Sequence, residues 1–297
     1  MMNNLLNVAK IKIDKTLCNK CGDCELSCPW HIFQFQDNNS IPQLVNTDLC
    51  VSCGHCITVC PNDAIIHTDF KNGDIINVNQ QLIPSYHQIL ELLRSRRSIR
   101  AFEDRQVEKD VIRKIIEGAC FAPSTNNIQS TEYTVVQKKD VIKKIKDITA
   151  KFLMKNISLY QNPLVRIISS IHSPKKTMIL KNLVRDYKVV LSSINKQNDL
   201  IIHNAPVLLF FNADKNIGFT DVNASLALQN ATLAIHSLGL GCFYAGYVAV
   251  TCKNNDEIKK IINIPKNHEI YGCLAIGYPR LKYERWIVRK KPKIDWI

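Results

Sequence analysis

Glycine is scarce in this sequence: it accounts for 10 of 297 residues, and neither of the common glycine-rich nucleotide-binding loops is present. There is no GxGxxG after a strand and no GxxxxGK[ST], so we exclude a ligand held by a Rossmann or P-loop motif. Long apolar runs are also lacking, since none approaches the roughly 18 residues of a membrane span. The initial MMNNLLNVAKIKI lacks the apolar core and cleavage site of a signal peptide. We therefore expect a soluble, cytoplasmic protein with no membrane partner.

Arginine is absent from the first 84 residues, which contain five lysines and eight acidic residues and carry a net charge of −3. The rest of the chain carries +16, which brings the total to +13. A positive excess can indicate nucleic-acid binding. Here the lysines are scattered along amphipathic segments, and no basic stripe contains interleaved aromatic residues. We expect sites for anionic ligands and no nucleic-acid partner.

Cysteine, in contrast, is concentrated: eight of the twelve lie in two copies of CxxCxxCxxxCP, which start at Cys18 and Cys50 and align at one fixed offset. In runs of this spacing the first three cysteines bind one iron–sulfur cubane, and the fourth, which precedes proline, ligates the other cluster. Gly22 and Gly54 stand where the chain must turn close to the cluster. We predict two 4Fe-4S clusters, one bound by Cys18, Cys21, Cys24 and Cys60 and the other by Cys50, Cys53, Cys56 and Cys28.

Zinc and disulfides are the alternatives for such an array. Zinc takes four ligands, commonly from two CxxC pairs, which leaves the third cysteine and the proline of each copy unexplained. Disulfides are typical of exported chains. The cysteines outside the array share no spacing, and we expect each to be a buried small apolar residue; they are Cys120, Cys242, Cys252 and Cys273.

Pro84 marks a change of pattern, so we predict a cluster-binding domain over residues 1–84 and a larger domain over residues 85–297. The first domain resembles the bacterial two-cluster ferredoxins, because both cysteine motifs are complete. Alternating segments predict its short strands, with a turn at Asn72-Gly73. These strands are Ile11–Asp14, Ile32–Phe35, Ile65–Asp69 and Ile75–Val78.

Helical and strand periodicities alternate in the larger domain. Helices are predicted over Tyr86–Ser95, over Glu108–Cys120, from Asp140, from an N-cap at Thr220 or Asp221 to Gly239, and over Asn255–Ile262. Strands are predicted over Thr131–Gln137, Pro206–Asn212, Cys242–Val250 and Glu269–Gly277. This order indicates an α+β sandwich in which both faces of a sheet are covered.

Three further features of the larger domain lead to structural predictions. Residues 154–198 are apolar and basic by turns, and we expect them to be partly helical and to cover a pocket. We interpret His236, near the end of the long helix, as a core histidine with a structural partner. The tail LKYERWIVRKKPKIDWI is basic, aromatic and poor in helix signals, which favours contact with a partner subunit.

Three segments of this domain suggest a site for a phosphate-bearing heterocycle. Four arginines surround Ser98, and guanidinium groups bind phosphate through paired N–H donors; they are Arg94, Arg96, Arg97 and Arg100. A solvated basic face or a helix C-terminus is the alternative reading. The polar loop Ala122–Gln129 offers amides to a ring edge, and the small residues of Gly239–Gly246 let backbone approach a ring face.

Together these segments resemble the nitroreductase family of FMN oxidoreductases, in its ferredoxin-fused branch. The resemblance rests on RRSIRAF, APSTNNIQ, DVNASLALQNATLAIHSLGLG and IGYPR, which occur in the order typical of that family. It implies a nitroreductase-like α+β sandwich and a domain-entwined homodimer with FMN at the interface. Two departures, Asn223 in place of the usual glycine and Ser130-Thr131 in place of proline and an aromatic residue, predict a reshaped substrate side.

The resemblance also implies roles for individual residues. The FMN phosphate and ribityl chain would contact Arg96, Arg97, Ser98 and Arg100. The other subunit would contribute Pro123, Ser124, Thr125 and Asn127. Ala245 and Gly246 would lie beside the flavin N5 edge, and Arg289 and Lys290 would close on the phosphate.

Iron–sulfur clusters transfer one electron at a time, whereas a flavin collects two, and the cofactors carry the chemistry. We predict an FMN-dependent oxidoreductase that reduces a small (nitro)aromatic or related acceptor, with NAD(P)H or an external ferredoxin as donor. Alternative acceptors are an enone, a halogenated aromatic or free flavin. A non-enzymatic electron-transfer or redox-sensing protein is the second alternative. No catalytic acid or base is assigned, and the proton would come from water or Tyr244.

Overall fold

The structure is a computed structural model that describes residues 10–37, 39–71, 73–165, 167, 174–195 and 198–297. It contains two compact units. The first comprises the described residues up to Ile83 together with Thr125–Ile128. The second comprises Pro84–Ser124 and Gln129–Ile297.

The first unit consists of two small antiparallel sheets and two short helices. Strand β1 (Ile11–Ile13) pairs with β4 (Ile65–His67), and β2 (Phe33–Gln34) pairs with β3 (Gln43–Leu44). Each helix follows the glycine after the second cysteine of a motif; they are α1 (Asp23–Ser27) and α2 (His55–Val59). The core contains Cys24 and Cys56 besides its apolar residues, which are Ile11, Ile32, Phe33, Ile57 and Ile65. The cysteine loops are therefore part of the hydrophobic core of this unit.

One strand predicted in this unit is wrong. Ile75–Val78 has no secondary structure, and Ile75, Ile76 and Val78 are all exposed. The alternation of this segment has no physical consequence because neither face is covered by other residues. Asn72 of the predicted turn lies outside the described residues, and Gly73 adopts a left-handed φ of 101°. Strand β3 was not predicted, because two residues carry no periodicity.

The second unit is built on a four-stranded antiparallel sheet in the order β5-β6-β8-β7. Its strands are β5 (Glu132–Val136), β6 (Val207–Asp214), β7 (Gly241–Tyr244) and β8 (His268–Gly277). The helices are α3 (Tyr86–Ser95), α4 (Lys109–Cys120), α5 (Lys139–Gln161), α6 (Pro174–Asn195), α7 (Thr220–Ser237), α8 (Gly246–Asn254) and α9 (Glu257–Ile261).

Both faces of this sheet are buried, which confirms the predicted α+β sandwich. Val207, Leu209 and Phe211 of β6 pack in a cluster with α4 and α7. The intervening Leu208 and Phe210 belong to a cluster with α5, α6, α8 and α9. Successive side chains of a strand point to opposite faces, so the uninterrupted apolar run of β6 supplies two cores.

Helix α7 begins differently from the prediction. Neither Thr220 nor Asp221 is its N-cap: Phe219 occupies that position with a left-handed φ of 60° and no side-chain cap. Thr220 is already the first residue of the helix, and its hydroxyl donates to Tyr271 Oη at 2.7 Å. The predicted end is confirmed, since Gly239 has a φ of 74° and donates its N–H to the His236 carbonyl.

The strand predicted over Cys242–Val250 is wrong in its second half. Strand β7 ends at Tyr244, and α8 starts at Gly246. The N–H of Ala245 donates to Cys273 O at 2.8 Å, after which the chain leaves β8. Val248 and Cys252 then bury one helical face. A short apolar run does not distinguish a buried strand from a buried helix.

Two further predictions, of helix within residues 154–198 and of burial for the four cysteines outside the array, are confirmed except at Cys120. Most described residues of 154–198 are helical, chiefly in the last part of α5 and in α6, and residues 166, 168–173 and 196–197 lie outside the described part. Cys242, Cys252 and Cys273 are buried as predicted, but Cys120 is exposed, because it ends α4 on the outer side. Among the described residues, no helix combines the length and the apolar character required to cross a bilayer.

Candidate functional site

The two cysteine motifs fold as a structural repeat. Gly22 and Gly54 precede α1 and α2 with left-handed φ values of 84° and 75°. Each glycine carbonyl then accepts the first two backbone bonds of its helix, at 3.0 to 3.1 Å. A side chain at either glycine would be strained by the positive φ. These turns place the third cysteine of each motif, Cys24 or Cys56, in the core.

The thiols group across the two motifs. Burial, with smaller contributions from the neighbouring Cys21 and Cys18, raises the pKa of Cys24 to about 11. Burial likewise raises the pKa of Cys56 to about 12, with contributions from Cys50, Cys53 and Cys28. Cys28 belongs to the first motif in sequence, yet its thiol lies among those of the second.

This second group of thiols lines a cavity in the first unit. Its lining includes Cys28, Cys50, Cys53 and Cys56, together with His67. Across the described residues, no three cysteine, histidine or acidic side chains converge on a position for a single metal ion. A cubane makes a different demand, because its four thiolates ligate four different iron atoms. The four cysteines around this cavity fit that demand, and coordination to iron would deprotonate them.

The arginine segment of the second unit lies beside strand β7. Ser98 forms a parallel bridge with Cys242, and the Ile99 N–H donates to Cys242 O at 2.9 Å. The close approach requires Gly241, because a Cβ there would lie 2.7 Å from the Ile99 side chain. The fold therefore brings two of the segments singled out in the sequence to the same edge of the sheet.

The arginine side chains divide between this edge and the C-terminal tail. Arg100 lies 5.4 Å from the centre of the Phe243 ring. Arg97 donates to the carbonyl of Arg285 at 3.1 Å, and Arg94 stacks on Trp286 at 4.6 Å. The tail has no regular secondary structure, as predicted, and its Arg289 and Lys290 are exposed.

His236 has the structural partner that we expected. Its Nε2 lies 2.8 Å from Ser95 Oγ, and that hydroxyl donates its own proton to the Glu91 carbonyl. The histidine is therefore the donor of the bond. Burial lowers its pKa, and the charge of Arg96 lowers it further.

A cavity of about 640 Å³ opens beside this edge of the sheet, a volume typical of small-molecule sites. It is lined by Arg100 and Gly246, which were predicted as site residues, and by Tyr244. Its other walls come from α6, from the segment after it and from α8, and include Tyr187, Val190, Ile201, His203 and Tyr247. Helix α6 thus lines the cavity, as expected of residues 154–198.

Gly246 has room for a larger side chain. A Cβ at this position would meet only the Tyr244 ring, at an ordinary 3.7 Å, and its φ is not positive. Neither packing nor backbone conformation therefore explains the glycine. The close approach of a flat ring would explain it, and in this respect the site fits a flavin.

The polar loop Ala122–Gln129, one of the three segments predicted to form the site, is divided between the two units. Pro123 and Ser124 line a separate cavity with Thr131, Tyr133 and Asn223. Thr125 and Asn127 lie in a short 3-10 turn that belongs to the first unit. There the Asn127 amide donates to the Ser52 carbonyl, in the cysteine loop, at 2.8 Å.

Several cavity residues were missed by the sequence analysis. His203 and Asn204 both adopt left-handed φ values, of 54° and 55°. The His203 ring packs edge-on against Phe243 at 5.2 Å, and burial lowers its pKa. Tyr187 and Tyr247 also meet edge-on, at 6.0 Å. Nothing in the local sequence marks these residues, since the contacts join distant segments.

The fold and this edge of the sheet define an α+β oxidoreductase of the nitroreductase type. Residues 93–278 match the model of the nitroreductase family, and the chain belongs to that family. Residues 17–64 match the 4Fe-4S dicluster domain, which confirms a ferredoxin domain at the amino end.

Curated proteins and a solved structure show the same similarity. A putative NADH dehydrogenase/NAD(P)H nitroreductase of Methanothermobacter thermautotrophicus is 24% identical over 64% of this chain and 77% of its own length. The iodotyrosine deiodinase of Drosophila melanogaster is 23% identical over 72% and 68% of the two chains. A nitroreductase from Desulfitobacterium hafniense, solved with bound FMN, aligns with a TM-score of 0.52 at 18% identity, covering 70% of this chain and 97% of its own. This structural match supports the fold.

Proposed function

We propose that the chain is an FMN-dependent iron–sulfur oxidoreductase that passes electrons from two 4Fe-4S clusters to FMN and on to a small nitroaromatic or related acceptor. The observation that carries the proposal is the pairing of the Arg96–Arg100 segment with β7. It sets the Arg100 guanidinium beside Gly246 and a cavity with aromatic walls. When bound there, a flavin would accept single electrons and deliver a pair.

The residues of the chain would bind and orient this cofactor. Arg96, Arg97, Ser98 and Arg100 would hold its phosphate and ribityl chain, since guanidinium groups donate paired N–H bonds to phosphate. Ala245 and Gly246 would lie against the ring, with Tyr244 and His203 around the acceptor. The tyrosine is a candidate proton donor, although burial raises its pKa.

A homodimer would complete this site. Val222 and Leu226 lie one turn apart on α7 and are exposed by 48% and 40% in the single chain. Such residues on a central helix favour cover by a second copy. The partner would then contribute Pro123, Ser124, Thr125 and Asn127, and the tails would supply Arg289 and Lys290. Light scattering should give twice the chain mass of 33.9 kDa.

Gly246→Val should weaken FMN binding without unfolding the protein. A Cβ at this position has room in the protein, and the added side chain would occupy the space of the ring, so we expect at least a tenfold weaker FMN affinity. Fluorescence titration with FMN measures this loss. Gly218→Val is the matched control, because a Cβ there meets nothing within 4 Å. Equal FMN binding by both variants would contradict the proposed flavin position.

The function itself is tested by anaerobic turnover. We expect NAD(P)H or reduced ferredoxin to reduce the flavin, and a nitroaromatic to reoxidise it with multiple turnovers. A protein that lacks the residues before Pro84 should still bind FMN, but reduced ferredoxin should no longer reduce its flavin. Identical donor responses of both proteins would show that the clusters are not the electron entry. Absence of turnover with every small acceptor would favour the redox-sensing alternative.

A halogenated aromatic is a second candidate acceptor. It is favoured by the similarity to the iodotyrosine deiodinase, which extends over 72% of this chain. Free flavin is likewise favoured by a Bacillus subtilis FMN reductase that is 26% identical over 65% of the chain. Rates with a nitroaromatic, a halogenated phenol, an enone and free FMN, compared at equal concentration, rank these acceptors.

A further inference from the structure

His67 contacts a cysteine of the array directly. Its Nε2 lies 3.4 Å from Cys50 Sγ. The imidazole is 4% exposed and lines the same cavity as Cys28, Cys50, Cys53 and Cys56. No step of the proposed function uses this residue.

The other ring nitrogen determines which atom carries the proton. The backbone N–H of Asp69 donates to His67 Nδ1 at 3.1 Å. Nδ1 must therefore present a lone pair, and the ring proton lies on Nε2. The contact with Cys50 is consequently an N–H donor directed at the sulfur.

The ring is held in this position from several sides. His67 ends β4 opposite Ile11, and its ring makes a T-shaped contact with the Phe70 ring, with 5.1 Å between the ring centres. Phe70 in turn fills the space over Gly54, where a Cβ would approach its ring to 3.3 Å. The Asp69 carboxylate accepts bonds from Lys10 and from the Ser52 hydroxyl in the cysteine loop. The donor is therefore fixed relative to the loop that carries Cys50.

The first motif lacks this donor. When the two copies are aligned, Phe35 occupies the place of His67, and Lys20 that of Ser52. A phenyl ring has no N–H to offer. The two cysteine groups thus have similar backbones but different hydrogen bonding to sulfur.

We infer that His67 is a tuning residue that makes the cluster held by Cys28, Cys50, Cys53 and Cys56 easier to reduce than its partner. This inference rests on the proposed cluster ligands. Hydrogen bonds to the sulfurs help to set the potential of an iron–sulfur cluster. Reduction adds one electron to the cluster, and no bond is formed or broken. An N–H donor directed at a cluster ligand stabilises the additional negative charge. The first electron from any donor would therefore reside on this cluster.

His67→Phe, which copies the first motif, tests the inference in the intact protein. Reductive titration followed by electron paramagnetic resonance should show a three- to tenfold lower ratio of reduced to oxidised cluster at fixed potential, for one of the two clusters. Tenfold corresponds to about 59 mV for a one-electron couple. The other cluster should not change. His67→Gln, whose amide can donate to the same sulfur, should shift the potential of this cluster less than His67→Phe does.

His87→Phe is the matched control, because His87 is an exposed imidazole in α3 of the second unit and should leave both potentials unchanged. Pulsed resonance on wild-type protein with ¹⁵N-labelled histidine gives a second readout that needs no stable His67 variant. We expect a ¹⁵N coupling on the cluster reduced first, and it should persist in His55→Phe, which removes the other imidazole that lines this cavity. If both clusters are intact, three results would overturn the inference. These are the absence of a ¹⁵N coupling, unchanged potentials in His67→Phe, and equal shifts of both potentials in that variant. Protein without iron signals would instead refute the proposed clusters.

Discussion

Cys28→Ala should remove the same cluster that is lost in Cys56→Ala, although the two residues lie in different motifs. The reason is the grouping of the thiols: Cys28 is among the neighbours that raise the pKa of Cys56, and both residues line one cavity. Each variant should retain about four of the eight irons expected for two 4Fe-4S clusters. Iron analysis and resonance spectra of anaerobically purified protein measure the loss.

Two further variants should show the opposite loss. Cys60→Ala and Cys24→Ala should both lose the other cluster and keep the spectrum of the cluster that is lost in Cys28→Ala. Cys120→Ser is the control, because this cysteine is exposed and lies outside the array, and it should retain all the iron. If Cys28→Ala and Cys24→Ala lost the same signal, the ligands would not cross between the motifs, and the assignment would be wrong.

The cysteine loops were predictable because their chemistry is local. In each copy the glycine, the thiol spacing and the short helix lie within about a dozen residues, and the repeat displays the pattern twice. The strand at Ile75–Val78 failed for the opposite reason. Alternation predicts a strand only if one face is covered, and these side chains remain exposed.

The second site illustrates what local patterns do not contain. The bridge between Ser98 and Cys242 joins segments far apart in sequence. The residue patterns suggested a common site for the two segments, and the family resemblance assigned roles in it to Arg100 and Gly246. The boundary between β7 and α8 depends on where pairing with β8 stops, at Ala245. An apolar segment reveals burial but not the partner that buries it.

The wall of the large cavity was the least predictable part. His203 and Asn204 are left-handed, a conformation that non-glycine residues adopt only when their surroundings require it. Here the surroundings are a buried carboxylate. Asp199 accepts the N–H groups of Ile201, Ile202 and Asn204 at 2.9 to 3.1 Å, so a single side chain determines the path of the segment that carries His203.

Asp199→Ala should accordingly destabilise the protein by about 3–5 kcal/mol, the range for removing one partner of a buried ion pair. Asp199 Oδ2 lies 3.1 Å from Lys146 Nζ, and the side chains are 5% and 28% exposed. Urea unfolding at pH 7 measures the loss. Asp199→Asn should cost less, about 1.5–3 kcal/mol, since Oδ1 keeps its bonds to Ile201 and Ile202 while those of Oδ2 are lost.

The pH dependence provides the second test of this carboxylate. Burial opposes its ionisation, but the donors at Asn204, Ile202 and Lys146 outweigh burial and hold the pKa below the ordinary 3.8. Its stabilisation is therefore complete above that value and is lost as the pH falls through the folded-state pKa. Wild type and Asp199→Asn should converge in stability at acidic pH and differ at neutral pH. Asp147→Ala, an exposed carboxylate next to Lys146 in α5, should change the free energy of unfolding by less than about 0.5 kcal/mol. A difference between wild type and Asp199→Asn that did not depend on pH would show that packing, and not charge, holds this wall of the cavity.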